Sequence, residues 1–315
     1  MKKKIRKFLF LTGLLTTVLY VLNKCISISS SLKNLLKTDR GQTYDWKYGS
    51  IFYTKSGKGA PLLLIHDLNP AASSMEWEKV YKSLSKNHTV YMIDLLGCGR
   101  SDKPRLTYTN YLFVQLVTDF IKDVIKEKAT VAATGSSGSF TVMAAHMNPE
   151  QFEKILLINP ENLCDLMKSP NHKKNLLKTL MELPIFGTFF YNLCYSAIGV
   201  SRLFADRYYF KRSLASSKTL DCYYESAHLK DSRGKYLLSS ILSDYTKINI
   251  THALVCMEVP IVLFCSKENE ASRYIRETYL EYQPSIECYD LSKSSYLPQM
   301  ETPEKFLSAM EGALR

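Results

Sequence analysis

Residues Gly135-Ser136-Ser137-Gly138-Ser139 follow the strand-like run ATVAATG (129–135) and open a helical stretch. Gly-x-Ser-x-Gly in that setting is a nucleophile elbow, in which small residues let a strand turn sharply into a helix and leave a serine hydroxyl exposed at the strand's end. Ser137 is then the candidate nucleophile, and the Gly138 N–H points at the same place, where a developing oxyanion would need a donor. The fifth position is Ser139 rather than glycine, still small enough for a close helix approach. Taken alone, GSSGS also reads as a flexible turn. Its place between a strand and a helix favours the elbow, and the chemistry would be acyl transfer.

Two other stretches agree with it. LLLIHDLNPAASSMEW follows the first core strand and DLLGCGRSDKP follows the second. With the elbow, in this order, they resemble the α/β-hydrolase family, whose first loop is usually His-Gly-x-x and whose second is Asp-x-x-Gly-x-Gly-x-Ser. The resemblance covers about residues 44–315. It implies an eight-stranded, mostly parallel sheet with helices on both faces, a helical cap before the later strands, and a Ser…Asp/Glu…His triad in that chain order. It implies Ser137 as nucleophile, the Leu68 and Gly138 N–H groups as oxyanion donors, and His66 as a brace for the first loop. Asp67 stands where that loop usually has glycine. Its carboxylate either points inward, where it would repel an oxyanion, or faces away as a turn residue.

The other triad positions depart from the pattern. The acid belongs after PIVLFC, in a Gly-x-x-Asp loop, but the chain reads Ser266-Lys267-Glu268-Asn269. Asn269 can hold an imidazole but offers no charge to an imidazolium. Glu268, Glu270 and Glu161 are alternative acids, or solvated loop carboxylates. The base belongs in Gly-His-x-Pro-x-x-Glu-x-Pro-Glu. Here Pro298, Glu301, Pro303 and Glu304 fit the frame and Tyr296 stands in the histidine's place. A tyrosine with its usual pKa of about 10 is protonated at neutral pH and is a poor base, although it can donate a hydrogen bond. No histidine follows His252. Of those before it, only His228, in the cap, is a candidate base, while His88, His146, His172 and His252 read as surface or packing residues.

Around these residues, the runs 61–65, 89–95, 129–135, 154–159, 260–266 and 285–292 read as strands. Helical stretches at 75–84, 111–128, 139–148 and 271–282 alternate with them, as in a parallel sheet covered on both faces. Residues 160–255 break the rhythm with helical, aromatic-rich sequence. The organisation is an N-terminal segment (1–29), a linker (30–43), a core (44–159 and 256–315) and a cap (160–255).

The net charge of +11 is concentrated at the start of the chain. Residues 1–40 hold nine Lys and Arg against Asp39, or +8, so the body carries +3 and does not read as a nucleic-acid binder. A basic start followed by the uncharged run Phe8–Leu22 reads as a membrane anchor, with a cleaved signal peptide or a surface helix as the alternatives. Because basic residues stay cytoplasmic, a spanning helix would put the body on the outer face. The eight cysteines are scattered singly, which excludes the usual zinc spacings and suggests free thiols, more usual on a reducing side. No cofactor and no metal are implied. Two functions remain: a serine hydrolase acting through Ser137 on a small, apolar, ester-like substrate, or a non-catalytic member binding an apolar ligand or a protein partner at a membrane.

Overall fold

The computed structural model describes residues 2–267 and 270–315. Eight strands form one sheet: β1 (Gly41–Trp46), β2 (Gly49–Ser56), β3 (Ala60–Ile65), β4 (His88–Ile93), β5 (Ala129–Thr134), β6 (Phe152–Ile158), β7 (Ile261–Ser266) and β8 (Glu287–Leu291). Their spatial order is β1-β2-β4-β3-β5-β6-β7-β8. β2 pairs antiparallel with β1 and with β4, and the remaining pairings are parallel. The central strands are apolar along their length because helices cover both faces. Alternate residues divide between two cores: Leu63, Ile65, Val131 and Leu157 enter one, and Leu62, Leu64, Ala132 and Leu156 the other. The sheet is the one the resemblance implies.

Parallel strands end at one edge of a sheet, and ligand sites in α/β folds form outside those carboxyl ends. The ends of β3, β5 and β6 therefore bring His66-Asp67, Gly135 and Asn159 to one place. Between β6 and β7 every described element is helical. These helices pack over the strand ends through Ala71, Ala72, Tyr208, Tyr223, Leu297 and Met300.

Local departures from the sequence reading have polar causes. Residues 75–84 are not one helix but a 3₁₀ turn (Ser74–Trp77) and a short helix (Tyr81–Leu84). Ser74 N–H is drawn to the Asp94 carboxylate at 2.7 Å, and Glu76 turns inward to accept from Asp67 N–H. The stretch 111–128 is a helix over Asn110–Phe120 that widens into a π turn at Ile121–Ile125 and stops at left-handed Lys126 (φ 64°). All eight cysteines are unpaired.

The first helix, α1, runs over Lys2–Ser30 and is long and apolar enough to cross a membrane. Most of its side chains before Asn23 are exposed, whereas Asn23, Ser27 and Ser30 are buried against the inserted helices. Leu35 and Leu36 N–H groups then donate to Glu225, which pins the following segment to the same helices.

Candidate active site

The strand-to-helix turn is made at Gly135. Its φ of 57° lies in the left-handed region, whereas Ser137 already belongs to the helix α2 (Ser137–Met147). In an elbow, the strained residue is the one that lifts its side chain into the site. Here that residue has no side chain, and there is no room for one. A Cβ on Gly135 would lie 1.9 Å from Tyr296 Oη and 2.5 Å from Asp67 Oδ1.

Ser137 therefore does not stand where the sequence reading expects it. It is 0% exposed, and its hydroxyl donates to the His66 carbonyl at 2.6 Å. A hydroxyl committed to a backbone carbonyl in the first turn of a buried helix is a tie between the β3 and β5 loops. Nor is the Gly138 N–H presented to a ligand: it donates to Gly135 O at 3.0 Å. Gly138 instead allows close packing, since a Cβ there would meet Pro160 at 3.3 Å. Leu68 is buried, with its side chain in the main core.

His66 braces the loop. Leu95 N–H donates to its Nε2, so Nδ1 carries the proton and donates to Asp67 O at 2.7 Å. Burial lowers its pKa and keeps the ring neutral. The Asp67 carboxylate points inward. Oδ1 accepts from Ser136 N–H and from Tyr296 Oη, each at 3.0 Å, and Oδ2 accepts from Tyr208 Oη at 3.1 Å. The N–H of the residue after the turn is the donor that an oxyanion would use. The chain's own carboxylate occupies it.

Tyr296 is held from several sides. Its ring stacks on Tyr208 (centroids 5.6 Å apart, planes within 5°), and the Arg207 guanidinium lies over it at 4.5 Å. Arg207 Nη2 also donates to its hydroxyl at 2.7 Å. Asn159, at the end of β6, donates to the carbonyls of Ser295 and Tyr296 and accepts from Ser266 N–H. Burial pushes the Tyr296 phenol well above its usual pKa, with the neighbouring Asp67 carboxylate adding to the rise. The Tyr296 phenol therefore keeps its proton at neutral pH and donates it in a hydrogen bond to Asp67 Oδ1. Deeper in, Glu76 accepts from Asp67 N–H and from Tyr223 Oη, and burial, reinforced by Asp67, pushes its carboxyl up to about 8.

The remaining candidates fall elsewhere. Glu161 is paired with Lys247 at 2.6 Å. Glu270 is exposed at the start of a helix, and Glu268 and Asn269 lie outside the described residues. His228 packs against Tyr224 with the rings tilted at 42°, and its Nδ1 meets the Tyr224 carbonyl at 2.7 Å. Among the described residues, no group of three or more His, Cys, Asp or Glu side chains is placed to hold a metal ion. A cleft of about 380 Å³ opens beside the site rather than over Gly135. It is lined by Leu36, Arg40, Met75, Lys79 and Met300 among others.

Sequence reasoning missed Gly135, Arg207, Tyr208, Glu76 and Asn159. For Gly135 a signal was present: Ala133 and Ser137, both small, flank it two residues away on either side. That is the same elbow pattern centred two residues earlier.

The sequence model of the Alpha/beta hydrolase family matches residues 62–309. An uncharacterized protein of Mycobacterium tuberculosis (strain ATCC 25618 / H37Rv) is 29% identical over 104 residues, 33% of this chain and 30% of that protein, so the match spans under a third of the relative's length. Among solved structures, a serine hydrolase involved in carbazole degradation superposes with a TM-score of 0.70 at 18% identity, over 87% of this chain and 99% of that one. A membrane phospholipase A, described as a bacterial virulence factor, superposes with a TM-score of 0.69 at 18% identity, over 100% of this chain and 98% of that one. At these identities the likeness is one of fold.

Proposed function

Because this chain belongs to the alpha/beta hydrolase family, whose chemistry starts from a side chain on the strand-to-helix turn, we propose that it is a non-catalytic member, held at a membrane by α1 and working by binding rather than by turnover. The observation that carries this reading is at Gly135: the turn residue has no side chain, and the space for one is filled by Tyr296 Oη and Asp67 Oδ1. Two further features support it. The donor meant for an oxyanion is already bonded to Asp67, and Tyr296 replaces the base with a donor. Hydrolysis through Ser137 would require its hydroxyl to leave the His66 carbonyl and reach a substrate from the first turn of a buried helix. Since the chain's own groups fill the reaction centre, a protein partner or the membrane itself suits the scaffold better than an ester-like substrate.

The test is labelling of the full-length protein with a fluorophosphonate probe, beside Ser137→Ala and a second variant, Ser136→Ala, with folding checked by circular dichroism. We expect no labelling of the folded wild type. Labelling that disappears in either variant would restore the hydrolase reading and name its nucleophile.

A further inference from the structure

Two of the helices between β6 and β7, α3 (His172–Glu182) and α4 (Phe186–Cys194), wear their apolar stripes on the outside. On α4, Phe186, Phe189, Phe190 and Leu193 recur at helical spacing and are 52%, 36%, 46% and 61% exposed, while Gly187, Tyr191 and Asn192 face inward. On α3, Leu176, Leu177 and Leu180 are exposed in the same way, and Leu183 continues the patch. A surface helix of a soluble domain turns such a stripe to its core. Contiguous exposed apolar patches mark an interaction surface.

The occupant is indicated by α1. From Ile5 to Leu22 that helix is uncharged apart from Arg6 and Lys7. At 1.5 Å per residue this stretch is about 27 Å long, close to the roughly 30 Å of a bilayer's hydrocarbon core. Its first buried polar residue is Asn23, where the helix would leave the hydrocarbon. At that level α1 is sewn to α4. Asn23 Nδ2 donates to Ile185 O at 3.1 Å and Asn192 Nδ2 donates to Asn23 Oδ1 at 3.0 Å. One residue further, Lys24 pairs with Asp231 at 2.8 Å. The aromatic stripe of α4 therefore begins at Phe186, beside the residue fixed to the exit point of the span. Of the five Lys and Arg in residues 163–203, Lys168, Lys174 and Lys178 are paired with acids, and Lys173 and Arg202 are exposed and suit anionic headgroups.

We propose that the exposed face of α3 and α4 lies in the membrane interface, as an amphipathic surface continuous with the α1 span. This rests on the reading of α1 as a membrane helix. An interfacial helix buries its apolar face about 5–10 Å below the headgroups, so Phe190 should be within reach of acyl chains.

The experiment uses the full chain in vesicles of phosphatidylcholine and phosphatidylglycerol, with and without brominated acyl chains as quenchers. Three single tryptophan reporters are compared: Leu11→Trp in α1, Phe190→Trp in α4, and Tyr111→Trp, an exposed site on the body. The native Trp46 and Trp77 are buried and give a constant background. Quenching of Leu11→Trp and Phe190→Trp, with Tyr111→Trp unaffected, is the result expected. Quenching at Leu11→Trp alone would overturn docking and leave the anchor standing. Quenching at none of the three would overturn the anchor, and the docking with it. Quenching at all three would overturn an oriented contact. Phe190→Trp emission that responds to protein dilution, and not to bromine, would assign the face to a second copy of this chain and likewise overturn the proposal.

Discussion

At the scale of single residues, Gly135, Asp67 and Tyr296 form one interlocked unit. Gly135 supplies a backbone conformation that other residues adopt at a cost of about 1–2 kcal/mol, and it leaves the volume that the other two fill. Gly135→Ser should accordingly destabilise the fold by about 2–5 kcal/mol, the sum of backbone strain and overpacking, read from urea denaturation. In a Tyr296→Ala background the overpacking part is relieved, so the same substitution should cost less. Equal costs in the two backgrounds would show that Tyr296 does not occupy that space. The serine motif was legible in the sequence, but two centres fitted it, Ser137 and Gly135. GSSGS invites a reading centred on Ser137, and which residue takes the positive φ depends on where β5 ends and on what Asp67 and Tyr296 place against it. Those contacts join positions 69 and 229 residues apart.

At the scale of elements, the short helix Pro298–Glu301 ties the Tyr296 loop to the inserted helices. The Glu301 carboxylate accepts from Ser295 N–H at 2.7 Å on one oxygen, and from Phe210 and Lys211 N–H at 2.8 and 3.2 Å on the other. Glu301→Ala would remove the acceptor of all three N–H groups and should cost about 1–3 kcal/mol, the scale of lost hydrogen bonds to a charged group, since Phe210 and Lys211 are exposed and their N–H groups can turn to water. A thermal melt checks this, and an unchanged midpoint would mean the loop is held by Asn159 alone. The frame Pro298, Glu301 and Pro303 was readable because it is local, and both prolines open helices as their missing N–H allows. The strands were readable because burial on both faces makes them continuous apolar runs. The outward stripes of α3 and α4 were not, because periodicity gives a face and not its direction.

At the scale of the whole molecule, the protein is a covered, mostly parallel sheet joined to one apolar helix, and its stability should depend on pH through the buried centre. Glu76 is the clearest case. Its pKa is raised in the folded chain, from an ordinary 4.5 to about 8. A raised carboxyl favours folding in its neutral form, so its contribution is complete below about pH 4.5 and is lost as pH rises towards 8. Glu76→Gln keeps the shape without the charge. The wild type should therefore lose melting temperature relative to this variant between pH 5 and pH 8, and parallel curves would refute the assignment.

The fully packed turn at Gly135 also bears on how this chain can change over generations. Introducing a serine there meets Tyr296 and Asp67, while removing either neighbour first leaves a hole or unpaired donors around the glycine. Each single step towards a working nucleophile is thus a step down in stability, and only a concerted change at positions 67, 135 and 296 avoids it. Steric interlock of this kind constrains the order of change: positions 67, 135 and 296 must move together or at a cost in stability, whereas exposed surface positions are not tied in this way.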